Sequence, residues 1–227
     1  MFEPGYLVIA GIAAVVSWIV QRRLMSTMKR LSQIPIQAGM SGEDIAHAML
    51  QENRIHDVSV ISVKGQLTDH YNPLKKTVNL SDWVFQPNSV AAAAVAAHEV
   101  GHAVQHATAY PMLQLRSGIV PIMGFANRFA PYVIMAGLMF INIPQIFMVG
   151  IALFAVSTLF SLITLPVEFD ASRRALAWLE TSNRLSQVEM EEARKGLRWA
   201  AMTYVVAALT SLATLMYYIW LFMGRRD

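Results

Sequence analysis

Four stretches of the chain are almost continuously apolar, and polar segments separate them. A helix that crosses a bilayer needs about 17–25 mostly apolar residues. Residues 147–166 and 200–223 meet this need without any charged side chain, and residues 118–142 meet it with one, Arg128. Residues 5–20 form a shorter stretch, predicted to be an uncleaved transmembrane anchor. The pattern predicts an integral membrane protein, mainly α-helical, with about four transmembrane helices.

The polar residues 21–117 have the patterns of a small α+β domain. "MSGEDIAHAMLQENRI" is typical of a helix with Ser41 as its N-cap. "DVSVISV" alternates apolar and polar residues as a half-buried strand does, and "QLTDHY" and "KTVNLS" flank the turn sequence "NPLKK". A further helix is predicted to begin after Asn88 or Ser89. The second polar segment, residues 167–199, is predicted to be helical.

Composition and charge agree with a membrane location. Hydrophobic residues make up 55% of the chain and charged residues 15%, against about a quarter charged in soluble proteins. Nine Lys and Arg side chains lie in residues 21–117 and six in residues 167–199, whereas the other side of a four-span chain carries Arg225 and Arg226. Because basic residues favour the cytoplasmic side, we expect a multi-pass protein of the inner (plasma) membrane whose polar segments face the cytoplasm.

The residue types also exclude several kinds of site. The chain has no cysteine, which excludes disulfides, thiolate zinc sites and iron–sulfur clusters. A metal must therefore be held by nitrogen and oxygen ligands. No run of basic and aromatic residues indicates nucleic-acid binding. A transporter or channel is weakly supported, because the two uncharged stretches offer no charged group for an ion pathway.

The segment "VAAHEVGHAVQHA" carries the pattern H-E-x-x-H at His98, Glu99 and His102. Residues four apart on a helix lie on one face, so both imidazoles can bind one ion. Glu99 can then take a proton from a metal-activated water that attacks a carbonyl carbon. Gly101 costs up to about 1 kcal/mol against alanine in a helix and leaves room for a close neighbour. An alanine-rich packing helix is the plainer interpretation, which we consider the weaker one.

A catalytic zinc site uses three protein ligands and leaves a fourth position to water. His106 lies one turn further along the same helix, but three side chains from one helix can hardly surround a single ion. Glu168 and Asp170 lie in "LPVEFDASRRALAWL", directly after the third apolar stretch. Glu168 is placed at a predicted helix start near the bilayer edge, where an unpaired carboxylate is costly. We predict Glu168 as the third ligand, with His106 and Asp170 as alternatives.

Three motifs in this order, "GQLTDHYNP", "VAAHEVGHAVQHA" and "LPVEFDASRRAL", resemble the YugP-like membrane zinc metallopeptidases. The matching motifs run from Gly65 to Leu176, and the arrangement of spans extends the resemblance to nearly the whole chain. The resemblance implies a membrane-embedded zinc peptidase of gluzincin type, with a zincin-like domain and one zinc ion per chain. It implies that His98, His102 and Glu168 are the metal ligands. It also implies that Glu99 is the general base.

The chain is also similar, more distantly, to HtpX-like and prenyl-protein membrane peptidases, whose third ligand opens an E-x-x-A-D pattern. Here the pattern reads Glu168-Phe169-Asp170-Ala171-Ser172. A serine therefore stands where an aspartate would orient the first histidine. A hydroxyl fixes an imidazole tautomer more weakly than a carboxylate does, so Ser172 is assigned no role.

Zinc peptidases of this plan often hold an extended peptide against an edge strand. By analogy "QLTDHYN" is predicted to be that strand, and His70 or Tyr71 to reach the oxyanion, although a simple turn before Pro73 is the plainer interpretation. We predict an endopeptidase that cuts a peptide or membrane-protein substrate close to the lipid bilayer. The alternative is a non-catalytic membrane scaffold with a structural zinc site, for which His106 would supply a fourth ligand.

Overall fold

The computed structural model describes residues 4–140 and 142–224, so Arg225 and Arg226 of the charge argument lie outside the described residues, as does Ile141 of the predicted 118–142 span. The described part forms seven helices and one three-stranded sheet. In chain order the elements are α1 (Pro4–Leu31), α2 (Gly42–Glu52), β1 (Ser59–Val63), β2 (His70–Asn72), β3 (Thr77–Ser81), α3 (Asp82–Phe85), α4 (Val90–Ala107), α5 (Pro111–Met139), α6 (Pro144–Thr181) and α7 (Gln187–Met223).

Four of these helices, α1, α5, α6 and α7, are long and apolar enough to cross a membrane by length and composition. Their number equals the predicted number of transmembrane helices. Three of them extend well beyond the apolar stretches that predicted them: α1 continues to Leu31, α6 to Thr181, and α7 already begins at Gln187. Hydropathy marks where lipid contact can end, whereas the helix continues as long as one of its faces has a core to pack against.

The predicted helix start near Glu168 is wrong, because α6 runs without a break from Pro144 to Thr181. Its 38 residues give a length of about 57 Å, well over the roughly 30 Å of a hydrocarbon core. Pro166 lies inside this helix. Beyond it, α6 has a fully buried stripe at four-residue spacing: Val167, Ala171, Ala175 and Leu179. Packing of this stripe stabilises the helix past its proline.

The chain divides into two compact units, one of which contains residues 114–166 together with the described parts of 1–19 and 203–227. Many of its large apolar side chains are exposed, among them Ile12, Tyr132 and Leu209. A small buried cluster, Ala130, Ile134 and Phe147, packs inside it. Exposed apolar surface on this scale is unusual for a soluble protein and is what lipid-facing helices present.

The second unit contains residues 20–113 and 167–202, and its sheet has the strand order β1-β3-β2. The predicted hairpin is confirmed, since β2 pairs antiparallel to β3 with His70 opposite Asn79. β2 is shorter than "QLTDHY" suggested, and it lies at an edge of the sheet. β1 pairs with β3 in parallel, a pairing that strand patterns alone do not predict. The central strand buries Val78 and Leu80 completely.

Helices α2 and α4 form the core of this unit with the sheet. Ser41 is the N-cap of α2 as predicted, and it forms a capping box with Asp44. Ser89 is the N-cap of α4, and its hydroxyl accepts a hydrogen bond from the backbone of Ala92. The alanine run of α4 is almost entirely buried. Small side chains allow close approach of neighbouring elements, so α4 is held as the central helix of the unit.

Candidate metal centre

The structure brings His98, His102 and Glu168 together, and the three side chains each offer one ligand atom within 4.8 Å of the others. Nε2 of His98 lies 3.4 Å from Oε2 of Glu168, and Nε2 of His102 lies 3.5 Å from the same oxygen. The two imidazoles stand almost perpendicular, at 84°. Two nitrogen atoms on α4 and one oxygen atom on α6 therefore converge on one point.

The spacing of these atoms fits a zinc ion. A tetrahedral zinc ion with bonds of about 2.1 Å separates any two of its ligand atoms by about 3.4 Å. The two separations from Oε2 of Glu168, 3.4 and 3.5 Å, match this edge length. Two imidazoles and one carboxylate are also a donor set that zinc accepts. Glu168 is only 3% exposed, and a carboxylate buried to this degree calls for a cationic partner.

Gly101 allows the two helices to approach closely enough for this convergence. A Cβ atom at this position would lie 2.6 Å from the backbone oxygen of Ala171 on α6. That is far inside van der Waals contact, and a backbone oxygen cannot move aside as a flexible side chain can. The expectation that Gly101 makes room for a close neighbour is confirmed, and the neighbour is the helix that carries Glu168.

Glu99 lies one residue after His98 and is 8% exposed. Burial raises the pKa of its carboxyl group, and the neighbouring imidazoles of His98 and His102 partly oppose that effect. A carboxylate with a raised pKa is a better proton acceptor near neutral pH than one in water. The position suits a group that accepts a proton beside the converging ligand atoms.

The second nitrogen of each imidazole also has a partner. Nδ1 of His102 lies 3.0 Å from Oε1 of Gln105, and Nδ1 of His98 lies 3.1 Å from the hydroxyl of Ser172. Ser172 therefore lies where the E-x-x-A-D pattern would place an aspartate against the first histidine. Such partners orient ligating imidazoles and set their basicity.

No sequence pattern identified Gln105 as a residue of the metal site. It is completely buried, and its amide nitrogen donates to the backbone oxygen of Val167 at 2.8 Å and to Oδ2 of Asp170 at 2.9 Å. The available signal was its spacing three residues after His102, which places both side chains on one helix face. The contacts with α6 depend on how two distant segments pack, and no local pattern reports that.

The two alternative third ligands lie elsewhere in the hydrogen-bond network. Nδ1 of His106 is 2.8 Å from the hydroxyl of Tyr71. Asp170 accepts hydrogen bonds from the guanidinium groups of Arg173 and Arg174 in addition to Gln105. Neither residue belongs to the ligand group found among the described residues.

The predicted oxyanion donors both lie on the edge strand β2. His70 is exposed, and its Nδ1 is 2.8 Å from the backbone oxygen of Thr68. Tyr71 is half-buried, and burial raises the pKa of its phenol group, so it keeps its proton at neutral pH. Of the two, Tyr71 has the environment of a hydrogen-bond donor, although its hydroxyl is engaged with His106.

Comparisons with known proteins indicate the family of the chain. Residues 6–223 match the model of a family described as "Putative neutral zinc metallopeptidase". The chain is 38% identical over 222 residues to the "Putative membrane protease YugP" of Bacillus subtilis (strain 168), which covers 98% of this chain and 97% of that relative. No solved structure matches the chain. The matches cover nearly the whole chain, and the chain belongs to the family described as "Putative neutral zinc metallopeptidase".

Proposed function

We propose that this protein is a membrane-embedded zinc endopeptidase of gluzincin type, with a zincin-like site on α4 and α6. The observation that carries the proposal is the convergence of His98, His102 and Glu168 on one point, with ligand separations that fit tetrahedral zinc. His98 and His102 would bind one zinc ion per chain through Nε2, and Glu168 would bind it through Oε2. When bound, zinc supplies a Lewis acid that polarises the scissile carbonyl and acidifies a water.

Glu99 is the general base in this proposal. Its buried carboxylate accepts a proton from the attacking water and then passes that proton to the amine that leaves. The raised pKa of Glu99 brings its proton affinity closer to what both transfers require. Gln105 and Ser172 hold the imidazoles, so that the residues of the site are oriented before substrate arrives.

A groove beside the site supports a peptide as substrate. It has a volume of about 450 Å³ and lies between α1, the segment before β2, the start of α3 and the first turns of α4. Ala91 and Val95 form part of its wall, on the same face of α4 as His98 and His102, one to two turns earlier. Its mouth exposes the apolar side chains of Met25, Leu67 and Trp83.

We therefore assign to this groove an apolar segment of a peptide or membrane-protein substrate. A Val95→Phe substitution narrows the groove, and it should lower turnover of an apolar peptide while leaving bound zinc unchanged. Turnover equal to that of wild type would remove the groove from the substrate path.

The edge strand β2 is the proposed backbone contact for the substrate. It lies at one edge of the sheet, so an extended peptide can add to it. Tyr71 is the preferred oxyanion donor, with His70 as the alternative. Loss of one such donor lowers kcat by about 10²–10³-fold in other acyl-transfer enzymes. A fall of that size in Tyr71→Phe, with unchanged KM, would support the assignment; an unchanged kcat would remove it.

The proposed location is the inner (plasma) membrane, with the site on the cytoplasmic side. The relative is named a membrane protease, and four helices are long and apolar enough to span a bilayer. The cytoplasmic assignment rests on the Lys and Arg side chains of the two polar segments and the preference of basic residues for that side.

A structural zinc site in a non-catalytic scaffold is the competing function. Such sites are closed by four protein ligands, and His106 was the expected fourth. It does not belong to the ligand group found in the described part of the chain, which has three members. Three ligands leave a position for water, which favours catalysis.

The experiment that separates these functions compares purified wild type with Glu99→Gln. Both should contain equal amounts of zinc, because Glu99 is not a proposed ligand. Turnover of an unfolded, casein-like substrate should be lost only in the variant. Glu191→Gln, an exposed substitution on α7, is the matched control and should behave as wild type. Equal turnover in wild type and Glu99→Gln would contradict the catalytic proposal.

A further inference from the structure

We propose that Gln105 is a positioning residue that fixes His102 in the tautomer with its proton on Nδ1. The inference rests on the proposed function, since it explains how His102 is prepared to bind a metal ion through Nε2. Gln105 does not contact the point where the ligand atoms converge. It acts through His102, three residues earlier on the same helix.

The two contacts of its amide nitrogen determine which way the amide of Gln105 faces. The backbone oxygen of Val167 can only accept a hydrogen bond, and it lies 2.8 Å from Nε2 of Gln105. Oδ2 of Asp170, 2.9 Å from the same nitrogen, also accepts from Arg174. The NH₂ group of the amide must therefore face α6, and a flipped amide would bring two oxygen atoms together.

The amide oxygen of Gln105 must in consequence face His102. An amide oxygen has no proton to give, and it lies 3.0 Å from Nδ1 of His102. Nδ1 must then be the donor in this hydrogen bond. In the neutral imidazole the single proton is thus on Nδ1, and Nε2 keeps its lone pair.

Nε2 of His102 faces the shared ligand position and lies 3.5 Å from Oε2 of Glu168. In the metal-free protein this oxygen can accept a hydrogen bond from Nε2, whereas a metal ion needs the lone pair of Nε2. In the other tautomer Nε2 would carry the proton, and it would have to be lost or moved before a metal could bind. A completely buried amide has no solvent to replace its partners. The network from Val167 and Asp170 through Gln105 therefore removes the unproductive tautomer.

The tautomer can be measured without any metal. In Glu168→Ala protein, where the Glu168 carboxylate no longer faces Nε2 of His102 and cannot compete for its proton, only the contact with Gln105 sets the tautomer. This protein is treated with a chelator and labelled with ¹⁵N-histidine, and two-bond ¹H–¹⁵N spectra distinguish protonated from unprotonated ring nitrogens. Spectra are recorded at a pH where the imidazole is neutral, and an added His102→Asn substitution identifies the His102 signals. We expect the proton on Nδ1 in Glu168→Ala and loss of that preference when Gln105→Met is added. A proton on Nε2, or an equal mixture of both tautomers, would overturn the proposal.

The effect on metal affinity provides a second test. Gln105→Met keeps the length of the side chain but has no amide, and zinc affinity should fall by about 10–100-fold, as when other outer partners of ligating histidines are lost. Thr181→Val removes the hydrogen bonds of a hydroxyl at the end of α6 to the helix backbone and should leave the affinity unchanged. An affinity of Gln105→Met within twofold of wild type would overturn the proposal.

The two tests separate this inference from the proposed function. If wild type binds no zinc, the metallopeptidase proposal fails, yet the spectra of the metal-free protein still report the tautomer of His102. If Gln105→Met does not fold, the Glu168→Ala spectra alone decide. If zinc binds and the tautomer is mixed, the function survives and the role of Gln105 is lost.

Discussion

His98 and His102 are oriented in different ways, although both Nε2 atoms lie near the same oxygen of Glu168. The amide of Gln105 offers His102 only an acceptor. The hydroxyl of Ser172 can either donate to His98 or accept from it, so it favours no tautomer strongly. His98 is therefore held in its metal-binding tautomer less firmly than His102.

Ser172→Asp should hold His98 in its metal-binding tautomer more firmly. A carboxylate accepts a hydrogen bond from Nδ1 of His98, fixes the tautomer and raises the basicity of the imidazole. We expect zinc to bind about tenfold more tightly in Ser172→Asp and several-fold more weakly in Ser172→Ala. Competition with a chromophoric chelator measures both changes. Equal affinities in wild type and both variants would show that the contact between Ser172 and His98 does not affect metal binding.

The contact between α4 and α6 sets the distance between the imidazoles and Glu168. Gly101 lies directly against the backbone of Ala171 on α6, so the site depends on a residue that takes no part in its chemistry. Helix propensity alone favours alanine over glycine by about 1 kcal/mol. At position 101 the added methyl group would collide with the backbone oxygen of Ala171, which cannot move aside. This steric destabilisation should exceed the stabilisation from helix propensity.

Gly101→Ala should therefore weaken zinc binding and lower the Tm, because α6 has to move away from α4. The matched control is Gly118→Ala on α5, where an added Cβ meets nothing within 4 Å; there the propensity gain should leave zinc binding intact and the Tm unchanged or raised. Zinc titration and thermal unfolding measure both variants. Unchanged zinc affinity in Gly101→Ala would show that the site tolerates a wider helix separation.

Sequence periodicity predicted the elements that carry the site better than it predicted their ends. His98 and His102 could be paired from their helical spacing, and Glu168 could be associated with them because an isolated carboxylate near the bilayer is costly. The continuity of α6 could not be predicted, because Pro166 resembles a stop signal and the stripe that stabilises the helix becomes visible only in the packed core. Gln105 and the parallel pairing of β1 with β3 depend on contacts between distant segments.

On the scale of the whole molecule, the orientation in the membrane decides which substrates the site can meet. The chain has no cysteine, so single cysteines can be introduced without background labelling. Leu74, in the turn between β2 and β3, is 95% exposed, and Asn142 lies exposed between α5 and α6. The two positions lie on opposite sides of the bilayer if the segment of α5 spans it.

An impermeant maleimide added to intact cells should label Asn142→Cys and not Leu74→Cys, because the account places the polar unit in the cytoplasm. After lysis, both variants should be labelled. Labelling of Leu74→Cys in intact cells would place the site on the outer side and would exclude cytoplasmic substrates.

The central claim is that one zinc ion is held between α4 and α6, and metal analysis of the purified chain tests it most directly. Wild type should contain one zinc ion per chain. Glu168→Ala should lose it, whereas Glu180→Ala, an exposed position on the same helix, should retain it. Zinc retained in full by Glu168→Ala, or absent from wild type purified without chelators and supplied with zinc, would contradict the account.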